Sequence, residues 1–511
     1  MQLPNWISRR CAGVLLHPSS LPGGNGIGCL NNFAYEWIDF LHDAGFTYWQ
    51  TCPLGPTGFG DSPYQVFCSS AGNPYFIDLN VLIECDYLSR EKLNSFKSLC
   101  SRSIDFGELY SLFFPLLRCA FDQFTKKPKA LEDRYGTITA FEERNSKWLI
   151  PFASYQSNKF QNDLRPWWEW PDEFSYKSSK NSVNNHEYKF QVFLQYLFRS
   201  QWRELKKYAQ SKGVKIIGDL PIYVAPDSSE IWSNKELFQV NTDGKFSAVA
   251  GVPPDYFNES GQFWGNPLYD WDKHRADNYS WWMDRIKDQL DLFDVVRIDH
   301  FRAFHDFWSI PHTAKDARAG SWEMGPGESF WQIAKKSFPE LPFLAEDLGD
   351  ISNEVRSLRT TFGLPGMAVL QFAFDGNSKN LYLPHNLTRD LVLYTGTHDN
   401  DTSCGWYHSN TEDIRSQFRS YLNVDGTTPS WDMVRQAYRS VSQLIIFPAQ
   451  DLLSLGSEAR FNTPGVPSGN WSWRMAAEQF QALRNQSTDY LYNQASICGR
   501  LPTPKGRPHS K

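Results

Sequence analysis

The stretch that decides the fold is DVVRID, residues 294–299, a short run of β-branched residues that ends in an acid. Runs of this kind are typical of buried strands in a parallel sheet. Three further segments repeat the pattern: VKIIGD (214–219), PFLAED (342–347) and LVLYTGTHD (391–399). The sequence therefore predicts a parallel sheet whose strands carry acids at their carboxyl ends.

Segments with helical spacing lie between these runs. In residues 31–44 an asparagine at the start is suited to cap a helix, and Gly45 is suited to end it. The apolar side chains of this segment repeat on one face: Phe33, Trp37, Phe40, Leu41 and Ala44. Strands that alternate with helices and end in acids are typical of a (β/α)₈ barrel, which builds its active site at the carboxyl ends of its strands.

A barrel fits better than an open sheet because the strands are spread over most of the chain and no dinucleotide fingerprint follows the first one. Gly24, Gly26 and Gly28 miss the G-x-G-x-x-G spacing. We predict an α/β fold with one catalytic barrel over residues 1–511, interrupted by a mainly helical insertion at about 53–190 and a second insertion over the active-site mouth at about 225–275. The predicted barrel strands are 11–17, 46–51, 214–224, 294–300, 342–347, 367–374, 391–397 and 443–449.

Composition excludes several classes of protein. The 511 residues include 51 Lys and Arg against 57 Asp and Glu, for a net charge of -6, which argues against a nucleic-acid partner. No apolar run reaches the length of about 18 residues that a membrane span needs. The N-terminal residues show no secretory signal, so a cytoplasmic location is expected. The nine cysteines include no Cys-x-x-Cys pair, which favours reduced thiols over a metal or redox motif.

Two strand ends have the residues for acid–base chemistry. Arg297 and Asp299 alternate onto the same side of their strand, where they form either an ionised nucleophile with its arginine or a structural ion pair. Glu346 follows an apolar strand, which should raise its pKa and let it keep a proton as a general acid. The alternative for this region is a helix start, which explains Asp347 and Asp350 better than Glu346.

Asp399 and Asp219 lie at the ends of two further predicted strands, and His398 directly precedes Asp399. Two carboxylates that flank an anomeric carbon, one ionised and one protonated, carry out glycosyl transfer. The same acids with His17, His300 and His398 could instead build a metal centre, although the first strand lacks a His-x-His pair. A serine hydrolase is disfavoured because no G-x-S-x-G elbow occurs.

Taken in order, the motifs resemble those of the 4-α-glucanotransferases of the amylomaltase (disproportionating enzyme) family, which is related to the α-amylase superfamily. The similarity runs over about residues 11–475. It is carried by LHPSSLP (16–22), GDSPYQ (60–65), GDLPIYV (218–224), GVPPDYF (251–257), GQFWGNPLY (261–269), RIDHFR (297–302), AEDLG (345–349), GTHDN (396–400) and NWSWR (470–474).

The resemblance implies a role for eleven residues and a barrel without a separate C-terminal β-domain. Asp299 would be the nucleophile, Glu346 the general acid/base and Asp399 the transition-state stabiliser. The expected substrate-binding residues are Ser62, Tyr64, Asp219, Asp255, Gln262, Trp264, Arg297 and His398.

The activity implied is transfer of α-1,4-glucan segments to an acceptor by a retaining mechanism. The expected partners are α-1,4-glucans, such as maltooligosaccharides and the dextrins of glycogen or starch, with no cofactor, metal, nucleic acid or membrane. A monomer or weak oligomer is expected. Two alternatives are a catalytically inactive glucan-binding protein, which should have lost an acid, and a metal-dependent hydrolase, which chelator should inactivate.

Overall fold

A computed structural model describes residues 3–23, 25–58, 60–176, 185–241, 245–254 and 259–502 of the protein. Twelve strands are present in these residues. They are β1 Cys11–Leu15, β2 Tyr48–Gln50, β3 Lys215–Pro221, β4 Ala248–Val252, β5 Gln262–Pro267, β6 Val295–Asp299, β7 Asp306–Pro311, β8 Ser321–Met324, β9 Phe343–Ala345, β10 Gly366–Val369, β11 Leu391–Tyr394 and β12 Leu444–Pro448.

Eight of the strands form a parallel barrel in the order β10-β11-β12-β1-β2-β3-β6-β9. The two ends of this order meet across the gap between β9 and β10. There the Ala345 amide donates to the Pro365 carbonyl at 2.9 Å, and the Met367 amide donates to the Asp347 carboxylate at 2.8 Å. The predicted barrel is confirmed. Seven of the predicted segments contain one of its strands in full, and β10 begins at Gly366, one residue before the predicted segment 367–374.

Helices surround the barrel. The Asn31 side chain accepts the Phe33 amide at the start of α1, and Gly45 follows its end with a φ of 80°, so the predicted cap and stop are confirmed. None of the helices in the described part of the chain is both long and apolar enough to span a membrane. The α-helices are α1 Asn32–Asp43, α2 Leu79–Glu84, α3 Phe106–Phe124, α4 Lys129–Tyr135, α5 Ile138–Arg144, α6 Ser146–Gln161, α7 His186–Ser211, α8 Ser229–Ser233, α9 Trp271–Ala276, α10 Ser280–Leu292, α11 Glu328–Ser337, α12 Asn353–Thr361, α13 Ser403–Ser409, α14 Glu412–Leu422, α15 Pro429–Arg439, α16 Ala449–Leu452 and α17 Ala477–Ile497.

The long connection between β2 and β3 is mainly helical and contains α2 to α7. Its helices pack through aromatic side chains: Phe121 and Phe124 of α3 lie with ring centroids 5.4 and 4.9 Å from Phe193 of α7. Because α7 leads directly into β3, this packing joins the helical segment to the barrel wall.

A second sheet lies outside the barrel and was not expected from the sequence. It has four antiparallel strands in the order β5-β4-β7-β8. Strands β4 and β5 precede β6 in the chain, whereas β7 and β8 follow it, so the sheet combines segments from two successive connections. This sheet carries the GQFWGNPLY motif on β5 beside the end of β6.

Candidate active site

Arg297 lies at the centre of a buried charge cluster at the carboxyl ends of β3 and β6. Its guanidinium donates to both carboxylate oxygens of Asp219, at 2.8 and 2.6 Å, and lies 2.9 Å from Asp299 Oδ1. The Arg297 side chain is 4% exposed and that of Asp219 is 1% exposed, while Asp299 is 28% exposed. Asp299 is thus the most accessible of the three groups, whereas burial raises the pKa of Asp219 to about 6 against the lowering effect of Arg297.

Glu346 follows β9 and is held by two backbone amides. The amide of His300 donates to Oε2 at 2.7 Å and the amide of Leu348 to Oε1 at 3.0 Å. His300 adopts a left-handed φ of 55°, an uncommon conformation that directs this amide at the carboxyl group. Burial raises the pKa of Glu346 to about 7, against the lowering effect of Arg297 and with a further rise from Asp299. Glu346 therefore keeps a proton in the range that a general acid needs.

The neighbours of Asp399 lower its pKa, whereas burial raises that of Glu346. Its Oδ2 lies 3.2 Å from His398 Nε2, and its Oδ1 accepts the side-chain amide of Asn462 at 2.6 Å. Burial acts to raise the pKa of Asp399, but His398 and Asn462 outweigh it and lower the pKa to about 2. Burial lowers the pKa of His398, yet Asp399 raises it above its usual value. Two carboxyl groups whose pKa values are pushed apart are suited to different roles in one reaction.

Tyr64 connects these groups. Its hydroxyl donates to Asp219 Oδ2 at 2.8 Å, and its ring stacks on His398 with centroids 4.8 Å apart and planes 20° apart. Ser62 Oγ accepts the Tyr64 amide at 3.2 Å and so holds the turn that presents this ring. The structure therefore brings Ser62 and Tyr64 to the same site as the acids.

Trp264 and Gln262 reach the site from β5 of the outer sheet. The Trp264 ring meets the His300 ring edge to face at 4.9 Å, and its indole N–H donates to Gln262 Oε1 at 3.0 Å. Trp264 therefore borders the turn that holds Glu346, with Gln262 beside it. Asp255, the remaining predicted binding residue, lies outside the described residues.

Two residues of the site had no role predicted from the sequence. Asn462 binds Asp399 directly, and the Trp471 ring lies with its centroid 5.8 Å from the rings of both Tyr64 and His398. Trp471 belongs to the NWSWR motif (470–474), one of those that resemble the 4-α-glucanotransferases, so the sequence could have indicated a role for it. No signal marked Asn462, because it lies in an irregular segment without strand or helix periodicity.

The histidines considered for a metal centre have other partners. His17 Nδ1 lies 3.1 Å from Thr51 Oγ1, and burial lowers the pKa of His17 to about 3. Burial also lowers the pKa of His300, to about 4. Among the residues that the structure describes, no group of three or more His, Cys, Asp or Glu side chains is arranged to hold a metal ion.

Comparison with known proteins gives a consistent result over nearly the full chain. The sequence model of the family described as 4-alpha-glucanotransferase (glycoside hydrolase family 77) matches residues 16–479. A 4-alpha-glucanotransferase of Thermus thermophilus is 45% identical over 93% of this chain and 95% of its own length. The chloroplastic/amyloplastic enzyme DPE1 of Arabidopsis thaliana is 40% identical over 98% of this chain and 88% of its own.

A solved structure agrees with these sequence matches. The amylomaltase from Streptococcus agalactiae, in complex with acarbose, superposes with a TM-score of 0.92 at 35% identity, and the match covers 97% of this chain and 100% of that one. Fold, site geometry and sequence thus converge, and the chain belongs to the 4-alpha-glucanotransferase family.

Proposed function

We propose that this site transfers α-1,4-glucan segments between chains by a retaining double displacement. The activity, that of a 4-alpha-glucanotransferase, is that of the family and of its full-length relatives. The observation that carries the proposed mechanism is the pairing of Glu346, whose pKa is raised to about 7, with Asp299 beside the Arg297 guanidinium. One protonated and one ionised carboxyl group on neighbouring strands are what the first step requires.

In the first half of the reaction Asp299 attacks the anomeric carbon while Glu346 gives its proton to the leaving glycosidic oxygen. The bond to the reducing-end fragment breaks, and a β-linked glycosyl ester forms on Asp299. In the second half Glu346, now ionised, takes the proton from the 4-hydroxyl of an acceptor glucan, which attacks the same carbon and releases Asp299. Two inversions leave the α-configuration unchanged, and like bonds are exchanged, so no external energy source is needed.

The other residues would stabilise charge and hold hydroxyl groups. Asp399, with its pKa lowered to about 2, remains ionised at working pH and would stabilise the positive charge that develops on the sugar ring. His398 and Asp219 would bind sugar hydroxyls at the cleavage subsite, and the Tyr64 ring would form its wall. Arg297 would position Asp299 rather than contact the sugar.

We also propose that two insertions shape the substrate groove of one catalytic barrel. The segment at about 53–190 contributes the Ser62–Tyr64 turn, and the segment at about 225–275 contributes Gln262 and Trp264. Residues 250–265, which include Asp255, would cover the donor chain and exclude water. Exclusion of water favours a sugar acceptor over hydrolysis of the intermediate.

The proposed partners are maltooligosaccharides and the dextrins of glycogen or starch, taken up by a monomer or weak oligomer. The amylomaltase solved with acarbose supports an oligosaccharide in this groove. We propose that the protein acts in the cytoplasm; the nine cysteines, all of them free thiols, support a reducing compartment.

The test is incubation of the pure protein with maltotriose alone in the presence of chelator, followed by mass analysis of the products. Disproportionation predicts glucose together with maltopentaose and longer chains. Glucose and maltose without longer products would instead mean hydrolysis and would contradict the proposed role of residues 250–265. Loss of activity in chelator would favour a metal-dependent hydrolase.

A further inference from the structure

A lysine and a cysteine of the helical segment lie unusually close together. The amine nitrogen of Lys92, on the 3₁₀ helix Arg90–Ser98, is 2.7 Å from the sulfur of Cys119 on α3. This separation is shorter than the mode of about 2.9–3.0 Å for N–H···O hydrogen bonds, although sulfur is a larger atom than oxygen. The two side chains are therefore in tighter contact than an ordinary hydrogen bond to sulfur requires.

The pair is also distinct in its surroundings. Among the cysteines, all of which lie in the described part of the chain, Cys119 alone has a described lysine amine within hydrogen-bonding distance of its sulfur. Within the same described residues, Lys92 forms no ion pair with a carboxylate. Lys92 is exposed and Cys119 is half-buried, so a small oxidant can reach the contact from solvent.

We propose that Lys92 and Cys119 form a reversible covalent cross-link in which a single oxygen atom joins the lysine nitrogen to the cysteine sulfur. With dioxygen as the oxidant, the amine and the thiol each lose one hydrogen. One oxygen atom enters the N–O–S bridge, and the other leaves with the two hydrogens as water.

Hydrogen peroxide reaches the same product in two steps. The first equivalent transfers oxygen to the Cys119 thiolate, which gives a sulfenic acid and one water. The second equivalent removes the sulfenic hydrogen and one amine hydrogen as the N–O bond forms, which gives two waters. Reduction by two equivalents of a dithiol returns the amine, the thiol and one water and leaves two disulfides of the reductant.

The geometry favours an oxygen bridge over the other products open to a sulfenic acid. A direct S–N link, as in a sulfenamide, would require the two atoms to move well inside their present separation of 2.7 Å. A bridging atom bonded to both can be accommodated near that separation. Cys119 is a free thiol in the structure, so no disulfide competes for its sulfur.

The cross-link would restrain a segment that docks beside the catalytic site. Residues 99–105 connect the 3₁₀ helix to α3, and here the Ile104 amide donates to the Ser472 carbonyl at 2.8 Å. The Arg474 amide donates in return to the Arg102 carbonyl at 3.0 Å. This strip adjoins Trp471, whose ring lies against His398. Oxidation would therefore close a loop over residues 92–119 and stabilise the fold next to the site.

The experiment compares full-length protein that has been reduced with protein treated with dilute hydrogen peroxide. We expect the cross-linked peptide pair to weigh about 14 Da more than the sum of the two free peptides, one oxygen gained and two hydrogens lost. After tryptic digestion the peptides that contain Lys92 and Cys119 should be joined, with cleavage blocked at Lys92, and dithiothreitol should release them. The oxidised protein should also melt at a higher temperature than the reduced protein.

Matched variants make the outcome decisive. Lys92→Gln and Cys119→Ser should each abolish both the joined peptides and the difference in melting temperature, whereas Lys97→Gln, on the same 3₁₀ helix, and Cys100→Ser should keep both. Hydrogen bonds from Ser103 and Arg102 lower the pKa of the exposed Cys100 thiol, so its oxidation in wild type reports that the oxidant was effective. The proposal is overturned if Cys100 is oxidised while Cys119 carries only sulfenic or sulfinic acid beside a free Lys92. A cross-link two hydrogens lighter, without added oxygen, would overturn it equally.

Discussion

Two buried arginines of the barrel make similar contacts but have different roles. Arg297 pairs with Asp219 and Asp299. Arg359, on α12, pairs with Asp347 at 3.0 Å and with Asp390 at 3.1 Å. Both guanidinium groups are almost fully buried, so neither burial nor ion pairing distinguishes the candidate catalytic cluster from the second one.

The two clusters differ in the direction they face. Glu346 and Asp347 are neighbours after β9, and side chains alternate between the two faces of an extended chain. Glu346 turns toward Asp299, whereas Asp347 accepts the Met367 amide and ties α12 to β10. Burial raises the pKa of both, to about 7 for Glu346 and about 6 for Asp347. A raised pKa marks a buried carboxyl group, and only its orientation shows whether a substrate can reach it.

The largest expected effect comes from Asp299→Asn. The amide cannot form the glycosyl ester, so turnover of maltotriose should fall on the order of 10⁴-fold or more. The measurement is the initial rate of glucose release, with melting temperature as the check on folding. A rate near that of wild type would remove Asp299 from the role of nucleophile.

Glu346→Gln should lower kcat by roughly 10²–10⁴-fold, because the amide has no proton to give or take in either half-reaction. In the wild type, kcat/KM should fall as pH rises through about 7, since the acid must be protonated for the first step. The residual activity of Glu346→Gln should not show this decrease as the pH rises.

The stability of the same two proteins should also respond to pH. The pKa of Glu346 is higher in the folded protein than in the unfolded chain, so Glu346 stabilises the folded protein at pH values below the usual glutamate pKa. That contribution is lost as the pH rises through about 7. The melting temperature of wild type should therefore fall more steeply between pH 5 and about pH 8 than that of Glu346→Gln. If the melting temperatures of wild type and Glu346→Gln changed equally with pH, that result would contradict the buried, protonated state of Glu346.

Asp347→Asn is the matched substitution on the adjacent residue and should separate the two clusters. Removing one member of a buried ion pair lowers the free energy of unfolding by about 3–5 kcal/mol, so the midpoint of denaturant unfolding should move to a clearly lower denaturant concentration. Turnover at a temperature where the variant is folded should stay close to that of wild type. A loss of kcat as large as that of Glu346→Gln, with unchanged stability, would remove the distinction between the two arginine clusters.

The smallest expected effect is that of Asn462→Ala. A hydrogen bond to a charged group contributes about 1.5–3 kcal/mol, so kcat/KM should fall roughly 10- to 100-fold. The pKa of Asp399 should rise toward its usual range because one of the groups that lowers it is gone. The acidic limb of the pH profile should then move to higher pH, a shift that a loss of loop packing alone would not produce.

Much of the fold could be predicted from local pattern. Each barrel strand is a short buried run, and α1 has its apolar face, its Asn31 cap and its terminal glycine within 15 residues. The outer sheet could not be predicted in this way, since β4 pairs with β7 across the whole of β6 and the intervening helices. The local pattern of a strand does not encode which distant strand it pairs with.

The residues of the site likewise include some that the local sequence pattern predicts and some that it does not. The strand-end position of Asp299, Glu346 and Asp399 is a local feature, and the alternation of residues 297 and 299 already placed Arg297 beside the first of them. Asn462 could not be found, because its contact with Asp399 joins irregular segments from separate parts of the chain.

The sequence by itself determined that acids follow buried parallel strands, because residue type and period-two alternation fix which side chains share a face. Only the tertiary structure decided which of the acids form one site and which hold the barrel together. Tyr64 reaches Asp219 and His398 from an insertion, whereas Asp347 turns away to Arg359. The charge, burial and pKa of a carboxyl group depend on neighbours brought together through space, and no local pattern encodes those neighbours.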